Sequence, residues 1–157
     1  MKKKILSLTI GPVLVLGLIT IVLMLTMVKD SMIDEVQEAL KGTAAATLAA
    51  YDQNTGDYIE SSNGDIWKGS YNISKSESLV DRIKENSGMD VTFFYGDRRI
   101  MTSALDDNGE RILNSPAGER IVEKVLNGGE EYFSKAVSLE GELNYGYYMP
   151  VYQNGTT

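Results

Sequence analysis

Two adjacent arginines, Arg98 and Arg99, are the side chains whose chemistry most directly suggests a binding role. An arginine beside aromatic rings and hydroxyls suits a carboxylate, because the planar guanidinium can donate hydrogen bonds to both carboxylate oxygens. Consecutive residues of a β-strand point to opposite faces of the sheet. Only one of the two arginines can therefore face a given ligand. The alternative role for Arg99 is a structural ion pair with one of the many acidic residues.

A β-hairpin over residues 91–103 is predicted to position these arginines. The run VTFFY that begins at Val91 is β-branched and aromatic, Gly96-Asp97 forms a two-residue turn, and an extended pattern then resumes. Residues that pair across this turn share a face of the hairpin. One predicted face carries Val91, Phe93, Tyr95, Arg98, Ile100 and Thr102, and the other carries Thr92, Phe94, Arg99, Met101 and Ser103.

An N-terminal membrane span is predicted ahead of this hairpin. Residues 1–4 are basic, and residues 5–28 form a run of 24 without a charged side chain, which exceeds the roughly 20 needed to cross a bilayer. The positive-inside rule keeps residues 1–4 cytoplasmic and sends residues 29–153 to the outside of the cell membrane. A cleaved signal peptide is the alternative, but its apolar core usually has about 7–15 residues, and no small-x-small cleavage site follows directly.

A long helix is predicted to continue from the span to about Gln53. Apolar and small residues recur at spacings of three and four, which is typical of a helix with one buried stripe. The stripe consists of Met32, Val36, Leu40, Ala44, Thr47, Leu48 and Tyr51. It could pack against the sheet of its own domain or face a second copy of the chain. We expect a homodimer contact in its membrane-proximal half.

Short elements are predicted for the remainder of the chain. Turn-forming residues dominate residues 52–76 and leave room only for brief strands. A capping box of Ser78 and Asp81 begins a helix that ends at Gly88. A second short helix is predicted over residues 117–127, after Pro116.

A second hairpin is predicted to pair residues 131–139 with residues 142–152 around the turn Glu140-Gly141. This register places Phe133 and Lys135 on the same face as Tyr148. The closing residues 154–157 look like a turn that awaits another strand, so we expect the sequence to be a fragment of a longer protein.

Composition excludes several classes of function. The chain contains neither cysteine nor histidine, which removes disulfides, Cys/His zinc sites, thiol nucleophiles and histidine bases. Residues 29–157 carry 12 basic and 22 acidic side chains, a net charge of −10, and such a surface repels nucleic acid. We predict no cofactor, no metal site and no catalytic residue.

The order of elements and three sequence segments resemble the single Cache domain, a PAS-like extracellular sensor of bacterial methyl-accepting chemotaxis proteins. The segments are NISK from Asn72, MDVTFFYGD from Met89 followed by Arg99 and Thr102-Ser103, and YGYYMPVY from Tyr145. The resemblance covers about residues 30–153. It implies an α+β fold in which a central antiparallel sheet has the long helix on one face and a small-molecule pocket on the other.

The resemblance also assigns a candidate binding site. It favours the face of Phe94, Arg99, Met101 and Ser103 as the pocket face, with Lys135 and Tyr148 of the second hairpin as further candidates. The guanidinium of Arg99 then favours a small organic acid as the ligand. Solvent exposure is the alternative for Lys135. Arg98 faces either the edge of the long helix or water, and it departs from the family, whose members more often carry a small polar residue there.

The implied function is the ligand-sensing part of a transmembrane chemoreceptor. The same sensor also occurs on histidine kinases and diguanylate cyclases, and the output domain lies outside this sequence. An anchored structural or interaction module without a ligand is another possibility. An anchored hydrolase that uses carboxylates is a further one, although no motif in the sequence assembles such a site.

Overall fold

The computed structural model describes the backbone of residues 2–139 and 142–153 and the side chains of residues 10–138 and 142–153. The predicted turn Glu140-Gly141 and the predicted end at residues 154–157 lie outside the described residues. The chain divides into two units, Met1–Val36 and Gln37–Thr157.

A single helix, α1 (Lys2–Asp52), contributes residues to both units. Over residues 10–28 its apolar side chains are exposed. Pro12 lies inside the helix, which membrane helices tolerate. The described part Ile10–Asp52 is long and apolar enough to cross a membrane. The prediction that one helix runs from the apolar segment to about Gln53 is therefore confirmed.

The second unit is built from antiparallel strands and short helices, so the predicted α+β fold is confirmed. In the described part of the chain the strands form three hydrogen-bonded sheets. The first contains β1 (Tyr58–Glu60), β2 (Ile66–Lys68) and β3 (Tyr71–Asn72), the second β4 (Thr92–Tyr95) and β5 (Arg98–Thr102), and the third β6 (Tyr132–Leu139) and β7 (Glu142–Tyr148). The helices are a 3-10 turn (Ile73–Lys75), α2 (Glu77–Ser87), and α3 (Glu119–Ile121), which continues as a π-helical segment (Val122–Asn127). We call β4–β5 the first hairpin and β6–β7 the second hairpin.

The hydrophobic core joins the end of α1 to the first hairpin. Tyr51 and Met101 are fully buried, and the ring of Tyr51 packs edge-on against Phe93 with the centroids 5.2 Å apart. The Tyr51 hydroxyl forms a buried hydrogen bond of 2.7 Å with Ser76 Oγ. These contacts show that the distal part of the helical stripe packs on its own domain. In the other unit, Met32 is exposed.

Both predicted short helices are present, but they begin elsewhere than predicted. The helix α2 begins at Glu77 with Ser76 at its N-cap, so the predicted capping box at Ser78 and Asp81 is wrong. Asp81 instead accepts a hydrogen bond of 2.6 Å from Arg111 Nη2. Gly88 ends α2 in the left-handed conformation with φ 72°, as its position in the sequence predicts.

The second short helix begins at Glu119 rather than at residue 117. Pro116 does not start it, because this residue pairs with Arg98 in an isolated antiparallel bridge. The loop over residues 112–117 therefore lies along the edge of β5 that does not pair with β4, beside the predicted binding residues.

Candidate functional site

The first hairpin contains a β-bulge that changes which residues share a face. Next to the turn, Tyr95 pairs with Arg98 and Phe94 with Arg99, as predicted. The register then shifts between Phe93 and Phe94. A bulge places two residues of one strand opposite one of the other, and Ile100 is the extra residue here. Beyond it the observed pairs are Phe93 with Met101 and Thr92 with Thr102.

Arg99 therefore shares its face with Phe94, Thr92 and Thr102. The guanidinium carbon of Arg99 lies 5.4 Å from the centroid of the Phe94 ring, within the range of a cation–π contact. The hydroxyls of Thr92 and Thr102 bond to each other at 2.8 Å. The guanidinium is the charged group on this face.

The Arg99 side chain is half-buried, and its Nε atom has no hydrogen-bond partner among the described residues. Burial lowers the pKa of this arginine, and the neighbouring Tyr148 acts in the opposite direction. A buried donor without an acceptor is costly, and a desolvated cation gains more from a nearby anion than an exposed one does. The environment of Arg99 thus favours an incoming acceptor with negative charge.

Tyr148 of the second hairpin lies close enough to Arg99 for each to affect the pKa of the other. Burial raises the pKa of the Tyr148 hydroxyl, and the charge of Arg99 partly opposes that shift. Tyr132 pairs with Tyr148 across the hairpin, and their rings stack with centroids 6.3 Å apart. Phe94 of the first hairpin and Tyr148 of the second hairpin are therefore the aromatic residues near Arg99.

A loop residue, Ser115, lies next to Arg99 on the free side of β5. The Arg99 amide donates to the Ser115 carbonyl at 3.1 Å, and the Asn114 amide donates to the Arg99 carbonyl at 2.9 Å. Asn114 adopts a positive φ of 59°, a conformation that asparagine tolerates better than most residues. The Ser115 hydroxyl is buried and has no hydrogen-bond partner in the described part of the chain.

Three of the six predicted site residues, Phe94, Arg99 and Tyr148, come together. The prediction that Met101 shares their face is wrong, because the bulge turns Met101 into the core, where it is fully buried with Phe93. Ser103 is displaced by the same shift. Its hydroxyl accepts from the Val91 amide at 2.8 Å and donates to Asp90 at 2.9 Å.

The Lys135 side chain is exposed and forms no hydrogen bond or ion pair among the described residues. The predicted register of the second hairpin holds near its turn, where Val137 pairs with Asn144, but shifts between Ser134 and Val137. Tyr148 consequently pairs with Tyr132, and its predicted shared face with Phe133 and Lys135 is wrong.

Arg98 lies on the opposite face from Arg99 and is a structural residue. Its Nη2 atom donates to Glu60 at 2.8 Å and lies 3.5 Å from the Gly64 carbonyl. The Arg98 side chain therefore contacts the sheet that contains β1 and β2, rather than the long helix or water alone. Among the described residues, Arg98 has an anionic partner and Arg99 has none.

The family described as single Cache domain 3 matches residues 71–157, which is more than half of the chain. The chain belongs to this family. Cache domains are extracellular sensor domains that bind small molecules. Neither the comparison with curated proteins nor that with solved structures found a match.

The site described above lies within the matched part of the Cache domain, on β4, β5, the loop after β5 and β7. Among the residues that the structure describes, no group of three or more histidine, cysteine, aspartate or glutamate side chains could hold a metal ion. The guanidinium of Arg99, with the Phe94 ring beside it, is suited to bind an anion.

A polar cluster next to the site connects the Cache domain's second hairpin to α1. Glu131 accepts a hydrogen bond of 2.9 Å from Lys41 Nζ and another from the Tyr147 hydroxyl. The pKa of Glu131 is lowered by the Tyr147 hydroxyl and by Lys41. Tyr147 and Tyr148 are consecutive residues of β7, so one faces α1 while the other faces Arg99.

Sequence reasoning missed Thr102 and Ser115 beside Arg99, and Tyr132 as the partner of Tyr148. Tyr132 and Thr102 were assigned to the wrong faces because both predicted registers ran without a bulge. The bulge of the first hairpin leaves no mark in its sequence, whereas Gly146, an isolated glycine within β7, lies beside the register shift of the second hairpin and could have signalled it. Ser115 belongs to a loop whose Ser-Pro dipeptide predicts a turn but not which strand the loop accompanies.

Proposed function

We propose that this chain is the ligand-sensing part of a transmembrane chemoreceptor of the methyl-accepting type, and that its Cache domain binds a small organic acid outside the cell. The observation that carries the proposal is the half-buried guanidinium of Arg99, which lies beside Phe94 and Tyr148 and whose Nε has no partner among the described residues. The receptor class is supported by the resemblance of residues 72–75, 89–97 and 145–152 to sensors of chemoreceptors.

A carboxylate is the ligand group that this environment favours. The guanidinium edge with its free Nε–H can donate two parallel hydrogen bonds, which match the two oxygens of a carboxylate. Aromatic rings exclude water from the contact and so strengthen it. The candidate ligand residues are therefore Phe94, Arg99 and Tyr148, with Tyr132 and Ser115 at the margin.

Transmission through α1 completes the proposal. A ligand changes a receptor only through its different affinities for two conformations, and a coupling of about 1–3 kcal/mol is typical. The Tyr51–Phe93 contact joins α1 to the first hairpin, and the Lys41–Glu131 pair joins it to the second. Both hairpins that supply the site thus contact the helix that leads to the membrane segment.

The proposal is tested by ligand binding to the full chain in detergent micelles. Isothermal titration with a panel of small carboxylates should identify a ligand, and Arg99→Ala should weaken its binding by roughly 10- to 100-fold, since hydrogen bonds to charged groups contribute about 1.5–3 kcal/mol. Arg98→Ala is the matched control, because it removes the same group from the opposite face. Absence of binding by every carboxylate, or equal affinities of Arg99→Ala and the unmodified chain, would contradict the proposal.

We extend the proposal to the arrangement at the membrane. Residues 1–4 stay in the cytoplasm, residues 5–28 span the bilayer, residues 29–153 form the extracellular part, and the membrane-proximal part of α1 forms a homodimer contact. Support comes from the lysines at the N-terminus and from the exposure of Met32 and Val36. The absence of cysteine from the chain permits a test with single-cysteine variants.

Ser62→Cys, in the exposed β1–β2 loop, is expected to react with a membrane-impermeant maleimide in intact cells. Met32→Cys is expected to form a disulfide-linked dimer when isolated membranes are oxidised, whereas Ser62→Cys should remain monomeric. Labelling of Ser62→Cys only after cell lysis would contradict the orientation, and a monomeric Met32→Cys would contradict the dimer contact.

A further inference from the structure

We infer that the Cache site accepts one carboxylate only, so that its ligands are monocarboxylates with a compact body and not di- or tricarboxylates. This inference rests on the proposed function and narrows it. It is carried by the distribution of positive charge around Arg99, by the free edge of its guanidinium and by the uncharged character of its neighbours.

Among the described residues of the second unit, one half-buried cation is available for a ligand. Most other basic residues of the second unit are engaged by acids, through the ion pairs Lys41–Glu131, Lys68–Asp52, Lys75–Asp65, Lys84–Asp90, Arg98–Glu60, Arg111–Asp81 and Lys124–Glu130. Arg82, Arg120 and Lys135 form no ion pair in the described part of the chain and are exposed to solvent. Arg99 is the half-buried cation of that part that lacks an anionic partner.

The guanidinium of Arg99 offers one edge for a carboxylate. Its Nε–H is buried and has no acceptor among the described residues. The Nε–H and one Nη–H of a guanidinium point in the same direction, so a carboxylate that binds Nε also receives the second hydrogen bond. One carboxylate thereby satisfies the unpartnered donor and neutralises the charge.

The remaining neighbours could not compensate a second carboxylate. The rings of Phe94, Tyr148 and Tyr132 and the hydroxyl of Ser115 carry no positive charge. An ionised group removed from water without a cation is strongly unfavourable. The aromatic rings instead suit an apolar or planar body, and the buried hydroxyl of Ser115, unpartnered within the described residues, suits a neutral polar substituent.

The test compares ligands that differ by one charge, again by titration calorimetry on the full chain in micelles. Propionate and monomethyl succinate should bind, and succinate should bind about 10-fold more weakly or worse, because its second carboxylate must lose water without gaining a cation. Monomethyl succinate matches the size of succinate and removes only one charge, so it separates charge from shape. Benzoate against phthalate gives the same comparison on an aromatic body.

Equal or tighter binding of succinate than of monomethyl succinate would overturn the inference and leave the carboxylate sensor intact. If no acid of either class binds, the proposed function fails together with the inference. Arg99→Ala should weaken the binding of propionate and of monomethyl succinate by roughly 10- to 100-fold. Unchanged affinity for the monoester in this variant would show that another residue binds the carboxylate.

Discussion

The two hairpins that meet at Arg99 are held in the protein in different ways. The first hairpin is anchored by apolar burial, with Met101 fully buried and Phe93 against Tyr51. The second hairpin is held largely by aromatic stacking and polar contacts, and Tyr145 in its ring stack with Phe133 is 43% exposed. Packed cores are rigid, whereas elements with few buried contacts open more easily. The comparison indicates a site with one fixed wall, which carries Arg99, and one adjustable wall, which carries Tyr148.

The largest expected difference between the hairpins is in stability. Met101→Ala should lower the free energy of unfolding by about 2–5 kcal/mol, because it removes a fully buried side chain from the core. Phe133→Ala should cost about 1 kcal/mol, since it breaks a stack of partly exposed rings. Urea unfolding followed by the fluorescence of Trp67, the single tryptophan, measures both. Equal costs would show that the second hairpin is as firmly anchored as the first.

A smaller effect is expected from Gly146→Ala on β7, beneath the ring of Tyr148. A methyl group there would lie 2.7 Å from Val137 Cγ2 and 3.1 Å from Tyr148 Cε2. The crowding should cost about 1–3 kcal/mol of stability, and because the Tyr148 ring must move, it should also weaken binding of the carboxylate ligand. Gly42→Ala is the control, since its methyl group meets nothing within 4 Å. Unchanged affinity in Gly146→Ala would mean that Tyr148 does not line the site.

The smallest expected effect concerns the decline in the free energy of unfolding at alkaline pH. Burial raises the pKa of Tyr148 above its ordinary value of 10.0, so the hydroxyl stays protonated in the folded protein at a pH where it ionises in the unfolded chain. Its contribution to stability is complete below about pH 10 and is lost as the pH rises further. Tyr148→Phe should therefore flatten the decline above pH 10, by at most about 1.4 kcal/mol per pH unit. An unchanged slope in chemical denaturation at pH 9–11 would contradict this assignment.

The sequence predicted the elements of the fold because their signals are local. The continuous apolar run defined the first part of α1, the Gly96-Asp97 turn defined the first hairpin, and Gly88 marked the end of α2. The start of α2 was mispredicted, because Ser76 rather than Ser78 takes the N-cap while bonding to Tyr51. That choice depends on a contact with a residue 25 positions away, and no local pattern contains it.

The site residues could be predicted only close to the hairpin turns, where the turn determines which residues of the two strands pair. Phe94 and Arg99 are adjacent to the Gly96-Asp97 turn and were paired correctly, whereas Met101 and Ser103 lie beyond the bulge and were assigned to the wrong face. The bulge brings Met101 into the core and leaves Arg99 outside it. The observed register thus allows this hairpin to pack against α1. Packing between distant elements cannot be read from the sequence of one strand.

The contact between Lys41 and Glu131 has a consequence for the surroundings in which a sensor could work. Both side chains are substantially exposed, 45% and 40% respectively, and the attraction between exposed charges is screened by dissolved ions. The link between the adjustable hairpin and α1 should thus loosen as the ionic strength outside the cell rises, while the buried Tyr51–Phe93 contact should not. At the same ligand occupancy, such a sensor would transmit a stronger signal at low ionic strength than at high ionic strength.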